Sequence, residues 1–168
     1  TFSGYYPDMD GLVRMMNNLS AELDCMRPSM LETGLQVIAH NLNRKNTQLK
    51  LFEFGKIYRQ GAEGFSETPQ LCMYFSGQVL PAHYQVKTRP IDFFYVKGWV
   101  ENLLFTFRTE WKEANGEWDV WVRGKKLGSV QHVPDARLKA FDIKQDVWFV
   151  ALDWTTLSQL LLQDHITY

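Results

Sequence analysis

The residues of this chain that could do chemistry are few and scattered. Cys25 and Cys72 stand alone, with no Cys-x-x-Cys spacing and no histidine nearby at ligand spacing, so neither a zinc site nor a disulfide framework can be built from them. Both read as reduced core thiols of a cytoplasmic protein. His40, His83, His132 and His165 lie far apart with no serine or cysteine nucleophile at a recognisable turn, which leaves them as surface or hydrogen-bonded side chains. Lys97-Gly98 is not preceded by the glycine-rich loop that would cradle a phosphate. Gly98 is therefore expected to be a packing glycine within a helix. Glu53 interrupts the apolar run Leu51-Phe52-Glu53-Phe54, where an ionised carboxylate is costly unless paired. A structural ion pair with Arg27 or Arg44 is expected. No catalytic, cofactor-binding or metal-ligating set emerges.

The elements that would carry these residues follow from periodicity. Residues 1–19 open rich in aromatics and turns and pass into Leu12, Val13, Met15 and Met16, a linker-like loop entering a short strand. Ser20 can open a brief helical turn. Pro28 suits a first helical position, and Leu31, Leu35, Ile38 and Leu42 recur at helical steps, predicting a helix over 28–44. Residues 51–58 read as a buried strand in which Gly55 marks a bulge or a close approach. Residues 60–69 read as a loop, and 71–79 as a strand with Cys72, Tyr74 and Ser76 on one side and Leu71, Met73 and Phe75 on the other. After a further loop over 81–90, Asp92 can cap a helix whose stripe is Val96, Val100, Leu103, Leu104 and Phe107. Segments 118–122 and 127–133 form a hairpin around Gly124-Lys125-Lys126. A strand over 147–152 leads to Asp153, a cap for a helix over 155–163, and 164–168 is a second linker end. This irregular order indicates an α+β fold rather than repeating βαβ units.

The chain of 168 residues suits one domain. Its 45% hydrophobic and 22% charged residues are ordinary for a folded protein. With 18 basic and 19 acidic residues the net charge is −1, too little for a broad electrostatic grip on a polyanion, so any nucleic-acid contact must be local. No apolar run is long enough to span a membrane, and a soluble protein without a membrane partner is expected. The six Trp and eleven Phe are not interleaved with basic residues, which favours core and interface aromatics over base-stacking ones. The chain begins at Thr1 and is expected to be a piece of a longer polypeptide.

Four stretches, in order, resemble one family. They are Asn18-Leu19-Ser20 through Met26-Arg27-Pro28-Ser29-Met30-Leu31 to Gly34-Leu35; Leu51-Phe52-Glu53-Phe54-Gly55-Lys56-Ile57-Tyr58; Asp92-Phe93-Phe94-Tyr95-Val96-Lys97-Gly98 with Val100-Glu101; and Gly124-Lys125-Lys126-Leu127-Gly128 followed by His132, Pro134, Leu138 and Phe141. They are similar to the motifs N-P-L-S with L-R-x-S-L-L-x-G-L, L-F-E-I-G-x-V-F and D-F-F-x-L-K-G-x-V-E, and to the closing hairpin, of the beta subunit of bacterial phenylalanyl-tRNA synthetase. The resemblance implies a class II aminoacyl-tRNA synthetase-like fold, an antiparallel sheet flanked by helices, as one catalytic-like but non-catalytic domain over 1–168.

An active domain of that fold needs an arginine on the α-phosphate, an acidic residue two positions on, and a second arginine after a glycine-rich strand. Tyr58-Arg59-Gln60-Gly61 has the first arginine, but glycine stands where the acid is required. The last glycine is Gly128 and the last arginine is Arg137, so the second arginine has no counterpart. The resemblance thus implies a structural role: packing with the alpha subunit, and with a second beta subunit, in the heterotetramer that joins phenylalanine to tRNA(Phe). ATP and magnesium would be used by the alpha subunit, with no cofactor in this chain. The alternatives are an independently active adenylate-forming domain or a tRNA-contacting module. By the same resemblance the helix over 28–44 is expected to build a subunit interface through Met30, Val37, Asn41 and Arg44, while Arg27, Glu53, Gly55 and Gly98 are structural.

Overall fold

The computed structural model describes residues 2–6, 10–17, 24–79 and 88–165. The helical turn expected at Ser20, most of the loop over 81–90, His83 and the side chain of His165 lie outside the described residues. A six-stranded antiparallel sheet, in the order β1-β2-β6-β5-β4-β3, organises the chain. The strands are β1 (Leu49–Gly61), β2 (Gly64–Ser76), β3 (Thr109–Ala114), β4 (Glu117–Val122), β5 (Lys125–His132) and β6 (Val147–Asp153). Helices α1 (Leu31–Asn43), α2 (Phe93–Leu103), α3 (Asp135–Ala140) and α4 (Trp154–His165) flank it.

Strict alternation makes two cores from one sheet. Cys72, Tyr74 and Phe149 point to one face, where Met30, Leu35 and Ile38 of the α1 segment and Leu138 of α3 cover them. Leu71, Met73, Phe75, Val150 and Leu152 point to the other, under Val96 and Val100 of α2 and Leu157 and Leu160 of α4. The two-sided reading of β2 therefore holds. Asp92 accepts a hydrogen bond from the Tyr95 amide at 2.8 Å, and Asp153 accepts one from the Thr156 amide at 2.8 Å, so both expected caps open their helices.

Several boundaries differ from expectation, each for a visible reason. The first long helix starts at Leu31, not Pro28, because residues 25–27 run extended: Cys25 bridges Arg14, and the Tyr58 amide donates to the Arg27 carbonyl at 2.9 Å. Residues 60–69 are not a loop. β1 and β2 pair down to Gly61 opposite Gly64, whose φ of +109° closes the turn. Pro69 is tolerated inside β2 because β6 pairs only from Gln70 onward, so the missing N–H disturbs no ladder on that side. β3 and α3 go beyond the elements that periodicity predicts. Leu103 leaves the buried stripe of α2 and is exposed. Within the stretch expected as a linker, Tyr6 is buried beside Cys25, and Tyr5 stacks on Phe141 at 4.8 Å, so Phe2–Tyr6 is docked. Among the described residues no helix is long and apolar enough to cross a membrane.

Candidate interaction surface

Arg59 lies near the end of β1 and is exposed, as is Gly61 at the hairpin turn. Ser66, opposite Arg59 on β2, donates its hydroxyl to the Arg59 carbonyl. The neighbouring carboxylate Glu67 is engaged by Lys56. The space between α1 and the sheet is filled rather than hollow. The Tyr74 hydroxyl donates to the Met30 carbonyl at 2.7 Å, and its ring covers Gly34 so closely that a Cβ there would meet it at 2.0 Å.

Met30 is 0% exposed, with its sulfur 3.7 Å from that of Cys72. Its expected place in a subunit interface is corrected: the side chain completes this chain's own core. Val37 is half exposed, Asn41 donates to the Val37 carbonyl at 2.9 Å, and Arg44 is exposed at the end of α1. The outward face of α1 also carries Gln36, His40 and Asn43, so it offers little apolar area.

Arg27 holds Glu53 at 2.9 Å, and its Nε donates to the Lys56 carbonyl at 2.9 Å. The side chains are 27% and 39% exposed, so the pair is semi-exposed rather than buried. Gly55 is a close approach and not a bulge. The β1–β2 register runs unbroken past it, and a Cβ would meet the Arg27 guanidinium at 2.3 Å and Met30 Cε at 2.7 Å. Gly98 is corrected in the other direction: nothing lies within 4 Å of a Cβ built there, so no internal packing requires it. It floors an open groove of about 410 Å³ lined by Arg89, Phe94, Tyr95, Trp99 and Asn102.

Among the described residues the buried carboxylate is Glu32, which sequence reasoning missed. It is 1% exposed in the first turn of α1, accepts a hydrogen bond from the Tyr6 hydroxyl, and has Arg137 Nε 3.7 Å away. Arg137 also donates to the Tyr5 carbonyl at 2.8 Å, so the cluster ties the first residues, α1 and α3 together. Burial, then the hydrogen bond to Glu32, pushes the Tyr6 hydroxyl far above the usual phenol range. Burial pushes the Cys72 thiol up to about 12. His132 meets Asp146 at 3.1 Å, a partly exposed pair. Among the described residues no group of three or more His, Cys, Asp or Glu is placed to hold a metal ion.

The larger feature is an aromatic belt on the face opposite α1. Phe94 is 74% exposed, Phe52 71% and Phe54 55%. The belt's contacts form two runs: Trp99 lies 6.4 Å from Tyr95, with Lys50 5.3 Å from the Tyr95 ring, and Phe52 is 6.2 Å from Phe54, which is 4.8 Å from Trp154. It arises because α2 and α4 cover β2 and its neighbours while the even-numbered side chains of the edge strand β1 project beyond them. Exposed aromatic surface of this kind suits a contact with another macromolecule.

Comparisons with known proteins agree on the family. The profile described as phenylalanyl tRNA synthetase beta chain CLM domain matches residues 7–154. A phenylalanine–tRNA ligase beta subunit from Bacteroides fragilis is 30% identical over an alignment covering 100% of this chain and 24% of that protein. The Porphyromonas gingivalis beta subunit is 34% identical over 86% of this chain and 20% of its own length. The Protochlamydia amoebophila one is 35% identical over 90% and 20%. The chain thus spans about a quarter or less of these relatives. Among solved structures, pyrrolysyl-tRNA synthetase from Desulfitobacterium hafniense superposes with a TM-score of 0.62 at 16% identity, over 92% of this chain and 53% of that one, which shows a class II synthetase fold. On the sheet, its motifs and the match over residues 7–154, the chain belongs to the phenylalanyl-tRNA synthetase beta chain CLM domain family.

Proposed function

We propose that this chain is the non-catalytic, class II-like domain of a phenylalanine–tRNA ligase beta subunit, and that it packs with the alpha subunit to hold the heterotetramer together. The carrying observation is the aromatic belt of Phe52, Phe54, Trp99 and Trp154, side chains of the type that dominates binding energy at protein interfaces. ATP and magnesium belong, in this reading, to the alpha subunit. A second beta subunit completes the assembly, tRNA(Phe) binds through the whole complex, and the complex works in the cytoplasm. The half-exposed Val37, with Asn41 and Arg44, is a second candidate contact on the far face.

The test is sedimentation of the protein with the alpha subunit. Phe52→Asp places a charge in the belt and Val37→Glu places one on α1, both at exposed positions where circular dichroism should stay unchanged. Association is expected to weaken at least tenfold in Phe52→Asp. A Phe52→Asp protein that folds and associates as tightly as the parent would overturn the belt as the contact, and a parent that does not associate would overturn the packing role.

A further inference from the structure

We propose that the open outer edge of β1, over residues 50–56, accepts a further strand: an extended segment of the alpha subunit with apolar side chains at alternate positions and a carboxylate opposite Lys50. This rests on the alpha-subunit contact proposed above and gives that contact a form, in which the partner is held through its backbone as well as through the aromatic belt.

The register decides which peptide groups face outward. β1 pairs with β2 without a break from Leu49 opposite Ser76 to Gly61 opposite Gly64, so alternate residues turn their N–H and C=O away from β2. The even-numbered residues do so. The Tyr58 amide donates to the Arg27 carbonyl at 2.9 Å, the Gln60 amide donates to the Gly11 carbonyl at 2.8 Å, and the Lys56 carbonyl accepts from Arg27 Nε. Arg27 and Gly11 thus close the edge from the Lys56 carbonyl onward. Before that point it is open: among the described residues nothing hydrogen-bonds to the backbone N–H or C=O of Lys50, Phe52 or Phe54. Such a row of unpaired groups is a template for another chain, and lysines commonly guard it. Lys50 and Lys56 stand at its two ends, but the stretch between them is unguarded, with Phe52 71% and Phe54 55% exposed. An added strand would pair with the backbone and set its own alternate side chains beside Phe52 and Phe54, where cross-strand aromatic pairs stabilise a sheet.

Charge selects the occupant. On the belt face Lys56 is held by Glu67 at 2.5 Å, whereas Lys50 has the Tyr95 ring at 5.3 Å, the Val79 carbonyl at 3.5 Å and, among the described residues, no carboxylate. An acidic side chain opposite Lys50 completes that end. A second copy of this chain fits badly. The antiparallel register that sets Phe52 against the partner copy's Phe54 also sets Lys50 against Lys56 and Glu53 against Glu53, like charges in direct opposition. A segment of different sequence, apolar in its middle and acidic at one end, has no such conflict.

The experiment is amide hydrogen exchange, read residue by residue, on the protein alone and in its complex with the alpha subunit. In the protein alone the Phe52 and Phe54 amides should exchange fast, and those of Glu53 and Gly55, which point to β2, slowly. In the complex the Phe52 and Phe54 amides are expected to slow by about 100-fold. Phe54→Pro and Phe54→Leu then separate backbone from side chain. Both remove the ring, and only proline removes the outward N–H, at an edge position where no bond within the sheet is lost. Association measured by sedimentation is expected to fall less than about fivefold in Phe54→Leu and at least about fiftyfold in Phe54→Pro, since a carbonyl of the added strand is left without its donor. Lys50→Glu, which sets like charges together, is expected to weaken association about tenfold. Circular dichroism checks that each variant folds, and the exchange pattern of the parent decides the matter if Phe54→Pro does not. A parent that fails to associate overturns this inference together with the alpha-subunit contact. A parent that associates while its Phe52 and Phe54 amides still exchange fast, or a folded Phe54→Pro protein that associates as well as Phe54→Leu, overturns strand addition alone and leaves a contact made by side chains. Lys50→Glu behaving like the parent overturns the acidic end of the segment. Dimers of the protein alone with the same two amides protected would give the edge to a second copy and overturn the alpha-subunit segment as its occupant.

Discussion

At the scale of single residues, the ionisable groups that matter most are those the sheet buries. Tyr74 is held up by burial, and Tyr6 by burial and Glu32, both well above the usual phenol range, and Cys72 is pushed by burial to about 12. Each keeps its proton in the folded chain at a pH where the unfolded chain loses it, so the stability they carry is intact below pH 9 and falls as pH rises. The expected slope is a loss of about 1.4 kcal/mol per pH unit for each group in its window, beginning near pH 9 with Cys72 and near pH 10 with the tyrosines. Urea denaturation between pH 8 and 11 measures it, and Cys72→Ala should flatten the first part of the curve; a flat profile in the parent would contradict the assignment. The carboxylates differ in the same terms. Glu53→Ala removes a pair open to solvent and should cost under about 1 kcal/mol, less than a wholly buried pair on the same strand would. Glu32→Ala strands the Tyr6 hydroxyl inside the protein and should cost about 2 kcal/mol or more. Equal denaturation midpoints for the two variants would refute this ranking. The ion on β1 was legible because a charge in an apolar run demands a partner. Glu32 was not, since a carboxylate near the start of a helix looks like an ordinary solvated charge, and its partners Tyr6 and Arg137 come from distant parts of the chain.

At the scale of elements, what could be read was what repeats locally. β2 showed its two faces, and Asp92 and Asp153 showed two caps, because each signal lies within a few residues. The start of α1 was hidden, since it depends on residues 25–27 running extended, with Cys25 bridging Arg14 and the Arg27 carbonyl accepting from the Tyr58 amide of β1, contacts that no helical period records. The β1–β2 turn was hidden because Gly61, Gly64 and Pro69 look like a loop until the register shows that β2 has no neighbour on one side at Pro69. Two helical glycines make the distinction testable. Gly34 lies under the Tyr74 ring, so Gly34→Ala must displace an aromatic in a packed core and should cost about 2 kcal/mol or more. Gly98 faces open space within α2, so Gly98→Ala should stabilise the chain by about 0.5–1 kcal/mol through helix propensity alone. Thermal melts of both variants decide this, and a destabilising Gly98→Ala would mean that the helix needs the glycine for a reason inside the fold. If the groove over Gly98 receives a partner, the same variant should fold better and associate less well.

At the scale of the whole molecule, the class II-like sheet is in place, and the non-catalytic reading proposed above turns on which charged groups it carries. Activating a carboxylate with ATP requires the α-phosphate to be neutralised and aligned by fixed charges. Arg59 is the one arginine at the corresponding strand end, and it is exposed beside a hairpin whose Gly61 supplies no carboxylate. No arginine follows Arg137 in the sequence, so α4 after β6 brings none. The layer between α1 and the sheet, meanwhile, is packed with Met30, Leu35, Tyr74 and Phe149, and Tyr74 presses on Gly34 with no room for an added methyl. Isothermal titration of the protein with ATP and with phenylalanine is therefore expected to give no saturable heat into the low millimolar range, and pyrophosphate exchange to give no turnover. Saturable binding of both ligands would show that the chain carries a working site after all, and would remove the basis for reading it as a structural partner.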